Sequence, residues 1–594
     1  MPYNAPIDDI MFNIEHLSSW ADVTALETYS DITSQDAEAV LDGFGRFCSE
    51  TIAELTSIGD TTGSKFDGKK VILPDEFKTA YDQFVEMGWQ SLPHDASHGG
   101  MGLPRALGAA ATEILNSSDL SFGLCPLLTD GAVDALILAG SEDQKALYLE
   151  NLISGRWTGT MNLTEPQAGS DLGRVRTKAV QNNDGTYAVS GTKIYITYGE
   201  HELSENIIHL VLARTPDAPP GPKGLSLFIV PKYLVKDDGT LGERNGVNCI
   251  SIEHKLGIKA SPTAVLEYEN ATGFLIGEEN HGLQYMFIMM MSARFLVGIQ
   301  GVAVSERAYQ HALAYAKDRE QSPPVDRSKN EAVTIAHHPD VRRMLLRMKA
   351  LVEGGRALSI ATAGLLDLAK NGSEEQALTA KPIAEFLVPL VKSFCTERAL
   401  EVTSLGVQIH GGMGFIEETG VAQFYRDARI LPIYEGTTAI QANDLLGRKI
   451  LRDKGALAKE IMVQIEETET SLKSGSPQAI GFANNLERAR KAFNDSIDWL
   501  IDQAGDDINN VYAGSVPILM LAGNLAVGWQ FGKSILAAEA HIADGKNTAF
   551  HAEKVATACF YAQHILVECE LEKARITAGA DSIYADAFKD FATA

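Results

Sequence analysis

Two hydrophobic periods alternate along the chain. From residue 34 to 156, apolar side chains recur three or four positions apart in DAEAVLDGFGRFCSETIAEL, DEFKTAYDQFVEMGW and SEDQKALYLENLISG, with Gly, Pro and Asp at the breaks. That spacing predicts helices and an all-α first domain over residues 1–156. From Trp157 the pattern changes. TYAVSGTKIYIT, NIIHLVLART and LSLFIVPKYLV are rich in β-branched and aromatic residues, and turn material such as NNDG and PDAPPGPKG separates them. Residues 157–275 therefore read as a β domain. Beyond LIGEENHGLQ the helical period returns in YMFIMMMSARFLVGIQGVAVSERAYQHALAYAKDR and continues through two more long stretches. This predicts a bundle of three or four long helices over residues 276–455. A polar junction near SLKSGSPQ leads to a further helical module, residues 456–594. The predicted class is α+β.

The most apolar late segment, SVPILMLAGNLAVGWQFGKSILAAEAHIA, is interrupted by Pro517, Asn524, Gln530 and Lys533, so a buried helix is expected there and no transmembrane helix anywhere. The opening MPYNAPIDDIMFNIEHLSSW lacks the basic and apolar regions of a secretion signal and the arginines of a transit peptide, and is read as mature protein. A length of 594 residues suits roughly three to five domains or layers. The net charge of -27 disfavours nucleic acid and bare membrane as partners. The six cysteines, Cys48, Cys125, Cys249, Cys395, Cys559 and Cys569, form no CxxC pair or Cys/His cluster. Reduced thiols, a cytoplasmic location and no metal site are expected.

Candidate chemistry is weak motif by motif. In MNLTEPQAGSDLG (161–173), the hydroxyls of Thr164 and Ser170 and the small Ala168 and Gly169 allow close approach to a flat polar ligand or phosphate, although such a run is most often only a turn. In QIHGGMGF (408–415), Gly411, Gly412 and Gly414 leave backbone amides open to an anion, or simply stop a helix. No GxGxxG follows a strand and no P-loop motif occurs. Glu435, a lone carboxylate in LPIYEGTTAIQ, taken by itself reads best as a helix N-terminal acid.

The combination is more specific. LTEPQAGSDLG, GTKIYIT, EHKLGIKASPTAVLEYENATGFLIGEENHGL, ARFLVGIQGVAVSERAYQHALAYAKDR, QIHGGMGF and YRDARILPIYEGTTAIQ occur in one order and spacing over residues 40–450, and in this the chain resembles the acyl-CoA dehydrogenase family. The tail is similar to the C-terminal extension of the longer bacterial members. The resemblance implies an N-terminal helical domain, a β-barrel-like middle domain and a four-helix bundle, with FAD between the last two. It implies flavin contacts at Leu163, Thr164 and Ser170, at Tyr195 where the family often has tryptophan, and at Thr197 and Thr437. Arg319, Gln408, Gly411 and Gly412 would reach the FAD of a second subunit, so a homodimer is implied. The usual short continuation after this arginine is replaced by REQSPPVDRSKNEAVTIAHHPDV, an altered loop.

The resemblance also gives Glu435 a role. It would take the α-proton of an acyl-CoA thioester while the β-hydrogen leaves as hydride, yielding a trans-2-enoyl-CoA. Its backbone N–H would bond the thioester oxygen. Burial against apolar substrate would raise the carboxyl toward neutrality, and LPIYEGTT holds no cation to keep it acidic. Some family members place the base just before the arginine that corresponds to Arg294; here that residue is Ala293. Substrate contacts are expected from Ser170, Arg294, Glu435 and Gly436, with Arg294 otherwise read as a helix-surface charge. The branch implies a short acyl chain such as 3-methylmercaptopropionyl-CoA and an electron-transferring flavoprotein as acceptor. An acyl-CoA oxidase, or a non-catalytic scaffold of the same fold, are the competing readings.

Overall fold

A computed structural model describes residues 3–591; the first two residues of the opening stretch and the last three of the tail lie outside it. The first layer is helical: α1 (Ile7–Leu17), α2 (Trp20–Thr24), α3 (Ser34–Phe47), α4 (Leu55–Thr62), α5 (Asp75–Glu86), α6 (Arg105–Ser118), α7 (Leu120–Ala139) and α8 (Glu142–Ile153). It is not purely α, because β1 (Lys65–Phe66) and β2 (Val71–Ile72) form a short antiparallel pair around the Asp67–Lys70 turn. α3 and α8 start from capping boxes at Thr33 and Ser141. α1 comes from the stretch read only as a mature N-terminus. Its acidic first turn suits a helix start.

The middle layer holds β3 (Trp157–Asn162), β4 (Lys178–Gln181), β5 (Tyr187–Thr197), β6 (Asn206–Ala213), β7 (Ser226–Pro231), β8 (Tyr233–Val235), β9 (Leu241–Arg244), β10 (Val247–Ile252) and β11 (Thr263–Ile276). Seven strands make one sheet in the order β3-β6-β7-β11-β5-β4, with β10 also on β11; β8 and β9 pair apart. β3 and β6 are parallel, and the other pairs antiparallel. β6 is buried along its whole length, so its alternate residues feed two cores. Ile208, Leu210 and Leu212 join a cluster with Leu128, Leu136 and Leu152, whereas Val211 and Ala213 join Tyr187, Val189 and Leu266.

The bundle is built on three long helices, α9 (Gly282–Asp318), α10 (Pro339–Asn371) and α11 (Glu374–His410), followed by α12 (Val421–Ala428) and α13 (Thr438–Asp444). α9 and α11 cross closely because Gly298 and Gly301 face α11, where added Cβ atoms would lie 2.5 Å from the Val391 oxygen and 2.9 Å from the Cys395 backbone. The altered loop after Arg319 folds back on itself through the Gln321 N–H to Val333 oxygen and Ile335 N–H to Arg319 oxygen bonds.

The tail comprises α14 (Ala456–Leu472), α15 (Pro477–Gln503), α16 (Ile508–Ala513), α17 (Ser515–Ala543), α18 (Thr548–His564) and α19 (Glu568–Thr577). It is not set apart from the bundle. Val527 and Phe531 pack against Gly354 of α10, Phe394 of α11 packs against Gly523, and one hydrophobic cluster runs through both. Two helices, Leu120–Ala139 and Gly282–Asp318, are long and apolar enough to cross a membrane. Both are core helices, with 72% of their most apolar windows buried in the protein.

Candidate active site

Glu435 lies in the loop between α12 and α13, two residues before Thr437, whose hydroxyl caps α13 by accepting the Ile440 N–H. It is not a first-turn acid. Glu435 (φ 55°) and Gly436 (φ 94°) are consecutive left-handed residues. This conformation is disfavoured for glutamate, so the surroundings must impose it.

Several contacts do so. Thr438 donates its N–H to the Pro432 oxygen (3.0 Å) and its hydroxyl to Glu397 of α11 (2.5 Å), while Lys392 of α11 donates its ammonium to the Leu431 oxygen (3.0 Å). On the other side, the Tyr434 hydroxyl donates to Gln300 Oε1 (2.5 Å), and Gln300 Nε2 donates to Asn116 Oδ1 (2.9 Å) on α6.

The electrostatics differ from the sequence expectation. LPIYEGTT contains no cation, yet Arg294 from α9 and Lys392 from α11 both face the Glu435 carboxylate. Burial dominates and raises its pKa to about 7, with Arg294 and Lys392 opposing the rise. The side chain keeps some accessible surface, as a base that must meet a substrate requires.

Arg294 is not a helix-surface charge. It is only 5% exposed, its Nε has no partner, and a Cβ on Gly436 would lie 3.6 Å from its Nη2. It lines an open cleft of about 650 Å³. Leu283, Phe287 and Met291 of α9 give this cleft an apolar wall; Lys223 stands at it, together with the ion pairs Arg448–Asp444 (3.1 Å) and Lys449–Glu385 (2.7 Å). The cleft can accept a long molecule with an apolar middle and an anionic end.

The β-domain candidates come together on neighbouring chain segments. The Leu163 oxygen accepts the buried Lys193 ammonium (2.9 Å), and the Thr164 oxygen accepts the Ile194 N–H (2.9 Å). Lys193 also pairs with Glu165 (2.8 Å), which accepts the Arg176 and Thr177 N–H groups and so holds the loop that carries Ser170. Tyr195 has φ 61° and is 60% exposed; Thr197 pairs with Thr263 on β11.

Arg319, Gln408, Gly411 and Gly412 form a second group. Arg319 is the exposed residue that closes α9, and Gln408, Gly411 and Gly412 are exposed where α11 ends, close to the C-terminal part of α9 through the His311–His410 contact. From Lys392 to Gly411, α11 rises about 28 Å, so this group is remote from Glu435 of its own chain.

These residues fit FAD. Hydroxyls at Thr164, Ser170, Thr197 and Thr437 suit a polar ring edge and phosphates, Tyr195 offers an exposed ring face, and added Cβ atoms at Gly411 and Gly412 meet nothing within 4 Å. Reasoning from sequence missed Lys392, Glu397, Gln300 and Asn116. Lys392 left a signal, a lone lysine inside the apolar run FLVPLVKSFC. The other three look like ordinary helix polar residues until the helices are packed.

Comparison with known proteins agrees with this architecture. The chain matches the acyl-CoA dehydrogenase N-terminal domain over residues 34–156, the middle domain over 160–271 and the C-terminal domain over 280–450, and an acetyl-CoA dehydrogenase C-terminal-like domain over 457–586. It is 66% identical to the 3-methylmercaptopropionyl-CoA dehydrogenase of Ruegeria pomeroyi over 98% of this chain and 99% of that protein. It is 37% identical to the broad-specificity linear acyl-CoA dehydrogenase FadE5 of Mycobacterium tuberculosis over 95% of each. The crystal structure of Caenorhabditis elegans ACDH-11 in complex with C11-CoA superposes with a TM-score of 0.76 over 98% of this chain and 96% of that one; at 21% identity this is a likeness of fold. With this architecture and this identity along nearly its whole length, the chain belongs to the acyl-CoA dehydrogenase family and is an FAD-dependent oxidoreductase acting on acyl-CoA.

Proposed function

We propose that the enzyme dehydrogenates short acyl-CoA thioesters, with 3-methylmercaptopropionyl-CoA among its best substrates, and that Glu435 is the base. The observation that carries the chemistry is a carboxyl raised to about 7 by burial and faced by Arg294, a residue that lines an apolar-walled cleft. The substrate assignment is supported by the 66% identical relative that bears that name.

The cleft receives the CoA portion, and its apolar wall excludes water from the thioester. Glu435 removes the α-proton onto a carboxylate oxygen, and its backbone N–H bonds the thioester oxygen, where negative charge develops. Arg294 lies beside Gly436 and stabilises the ionised base before transfer. Bound FAD would supply the acceptor for the β-hydrogen as hydride. Leu163, Thr164, Ser170, Tyr195, Thr197 and Thr437 would hold it from one chain, and Arg319, Gln408, Gly411 and Gly412 from a second, in a cytoplasmic homodimer that would pass its electrons to an electron-transferring flavoprotein.

Glu435→Gln tests the reading. It preserves size and removes the base, so the purified variant stays yellow, binds acyl-CoA and loses anaerobic flavin bleaching by about 10²–10⁴-fold. Wild-type bleaching rates across an acyl-CoA panel test the substrate. A γ-thioether sulfur resembles a methylene in size, so butyryl-CoA and valeryl-CoA follow closely. A higher kcat/KM for palmitoyl-CoA than for every short chain would overturn the short-chain assignment. Peroxide formed in air as fast as substrate is consumed would identify an oxidase instead.

A further inference from the structure

Lys392 is a buried cation. It is 0% exposed, and among the described residues its ammonium has one hydrogen bond, to the Leu431 oxygen, and no carboxylate pairs with it. An ammonium in a protein interior is costly unless something offsets it. The offsetting group is identified by position. Lys392 and Glu397 stand on the same helix and grip the two shoulders of one loop, Lys392 at Leu431 and Glu397 at Thr438, with Glu435 between them. The loop is closed by the Thr438 N–H to Pro432 oxygen bond, and it holds a glutamate at φ 55°, a conformation that needs external support.

From this geometry we infer that Lys392 and Glu397 of α11 form a two-point clamp that positions the Glu435 loop, and that Lys392 also supplies a positive charge, present at and below neutrality, that keeps the base ionised. Both are positioning residues, acting through Glu435 rather than on the substrate. The inference rests on Glu435 being the base.

The charged and titratable groups facing Glu435 are Arg294 from α9, Lys392 from α11, and Tyr434 from its own loop. Glu397 faces Lys392, and Asp444 and Arg448 face Arg294. Arg294 is thus tempered by an acid and a second cation from the α13 side. Among the described residues, Lys392 faces Glu435 and Glu397 as opposite charges and Arg294 as a like charge. Burial lowers the Lys392 pKa to about 8, while Glu435 favours the charged form, so the two charges sustain each other near neutrality.

The test uses the full-length, FAD-loaded enzyme and reads anaerobic flavin bleaching by saturating butyryl-CoA from pH 5.5 to 9.5. Lys392→Gln keeps a donor for the Leu431 oxygen but removes the charge; Lys392→Met removes both. In both variants the rising limb moves to higher pH by about one unit, an approximately tenfold loss at pH 6 that largely recovers by pH 9 in the Gln variant. Lys392→Arg restores the limb. Glu397→Ala loosens one shoulder and lowers the rate by a similar factor at every pH.

A merely structural role for Lys392 would lower the rate without moving the limb. Flavin-loaded Gln and Met variants that bleach with the wild-type pH dependence would therefore overturn the inference. Glu435→Gln distinguishes the underlying reading. If that variant bleaches at the wild-type rate, the base is misassigned; if it is inactive while the limb stays fixed, only the role of Lys392 fails.

Discussion

Burial and two cations pull the Glu435 carboxyl in opposite directions, and burial prevails, leaving the pKa at about 7. The sign for catalysis follows directly. If Glu435 is the base proposed above, only its ionised form accepts the α-proton, so the bleaching rate is expected to rise with pH through about 7, and at pH 6 to be roughly a tenth of its plateau. Stopped-flow bleaching across pH measures this, and a rate flat between pH 5.5 and 8 would contradict it. Glu435 was legible in the sequence because its motif spacing is distinctive. Its cations were not, since Arg294 and Lys392 lie on other helices and meet the carboxylate only after α9 and α11 pack. Sequence proximity misled here: an octapeptide free of cations says nothing about charges that arrive through space.

At the scale of elements, the α9–α11 crossing carries the site, because α9 supplies Arg294 and α11 supplies Lys392. Its closeness depends on Gly298, where a Cβ would lie 2.5 Å from the Val391 oxygen and 2.6 Å from a Val391 methyl. Backbone cannot move aside as a side-chain tip can. Gly298→Ala is therefore expected to destabilise by about 1–3 kcal/mol, although alanine is the better helix former, and to slow bleaching by shifting Arg294 and Lys392 relative to Glu435. Thermal denaturation with parallel bleaching rates checks both effects. Helices of this length were plain from their period, and β6 and β7 from their β-branched and aromatic residues. The α1 segment was not legible as a helix because its 11 residues give only about three turns of spacing. The β1–β2 pair, two residues per strand, is too short for any period to show.

Across the whole molecule, the first and last helical regions are joined through buried charge. Arg356 of α10 is 1% exposed and bonds Asp9 of α1 (2.6 Å), Glu113 of α6 (2.8 Å) and Glu306 of α9 (2.6 Å); Lys554 of α18 bonds Asp9 (2.5 Å) and Glu353 (3.0 Å). Burial works against the Asp9 carboxylate, but Lys554 and Arg356 hold its pKa well below the usual range. Arg356→Met leaves three buried carboxylates without their shared cation and should cost about 3–5 kcal/mol, seen as an earlier urea transition. No local pattern announced this network, because its members are spread from residue 9 to residue 554. A polar junction marks the tail as a further helical module but cannot reveal that Phe394 packs beneath Gly523.

The bond between Asp9 and Lys554 spans 545 residues. A ribosome working at roughly 5–20 residues per second delivers the second partner about half a minute to two minutes after the first. During that interval α1 has its own apolar face, including Ile10 and Ile14, but lacks the cation from α18 that its buried aspartate requires. Among the described elements, α1 is thus the first made and among the last to be locked. Completion of α18 becomes the event that seals the nascent chain.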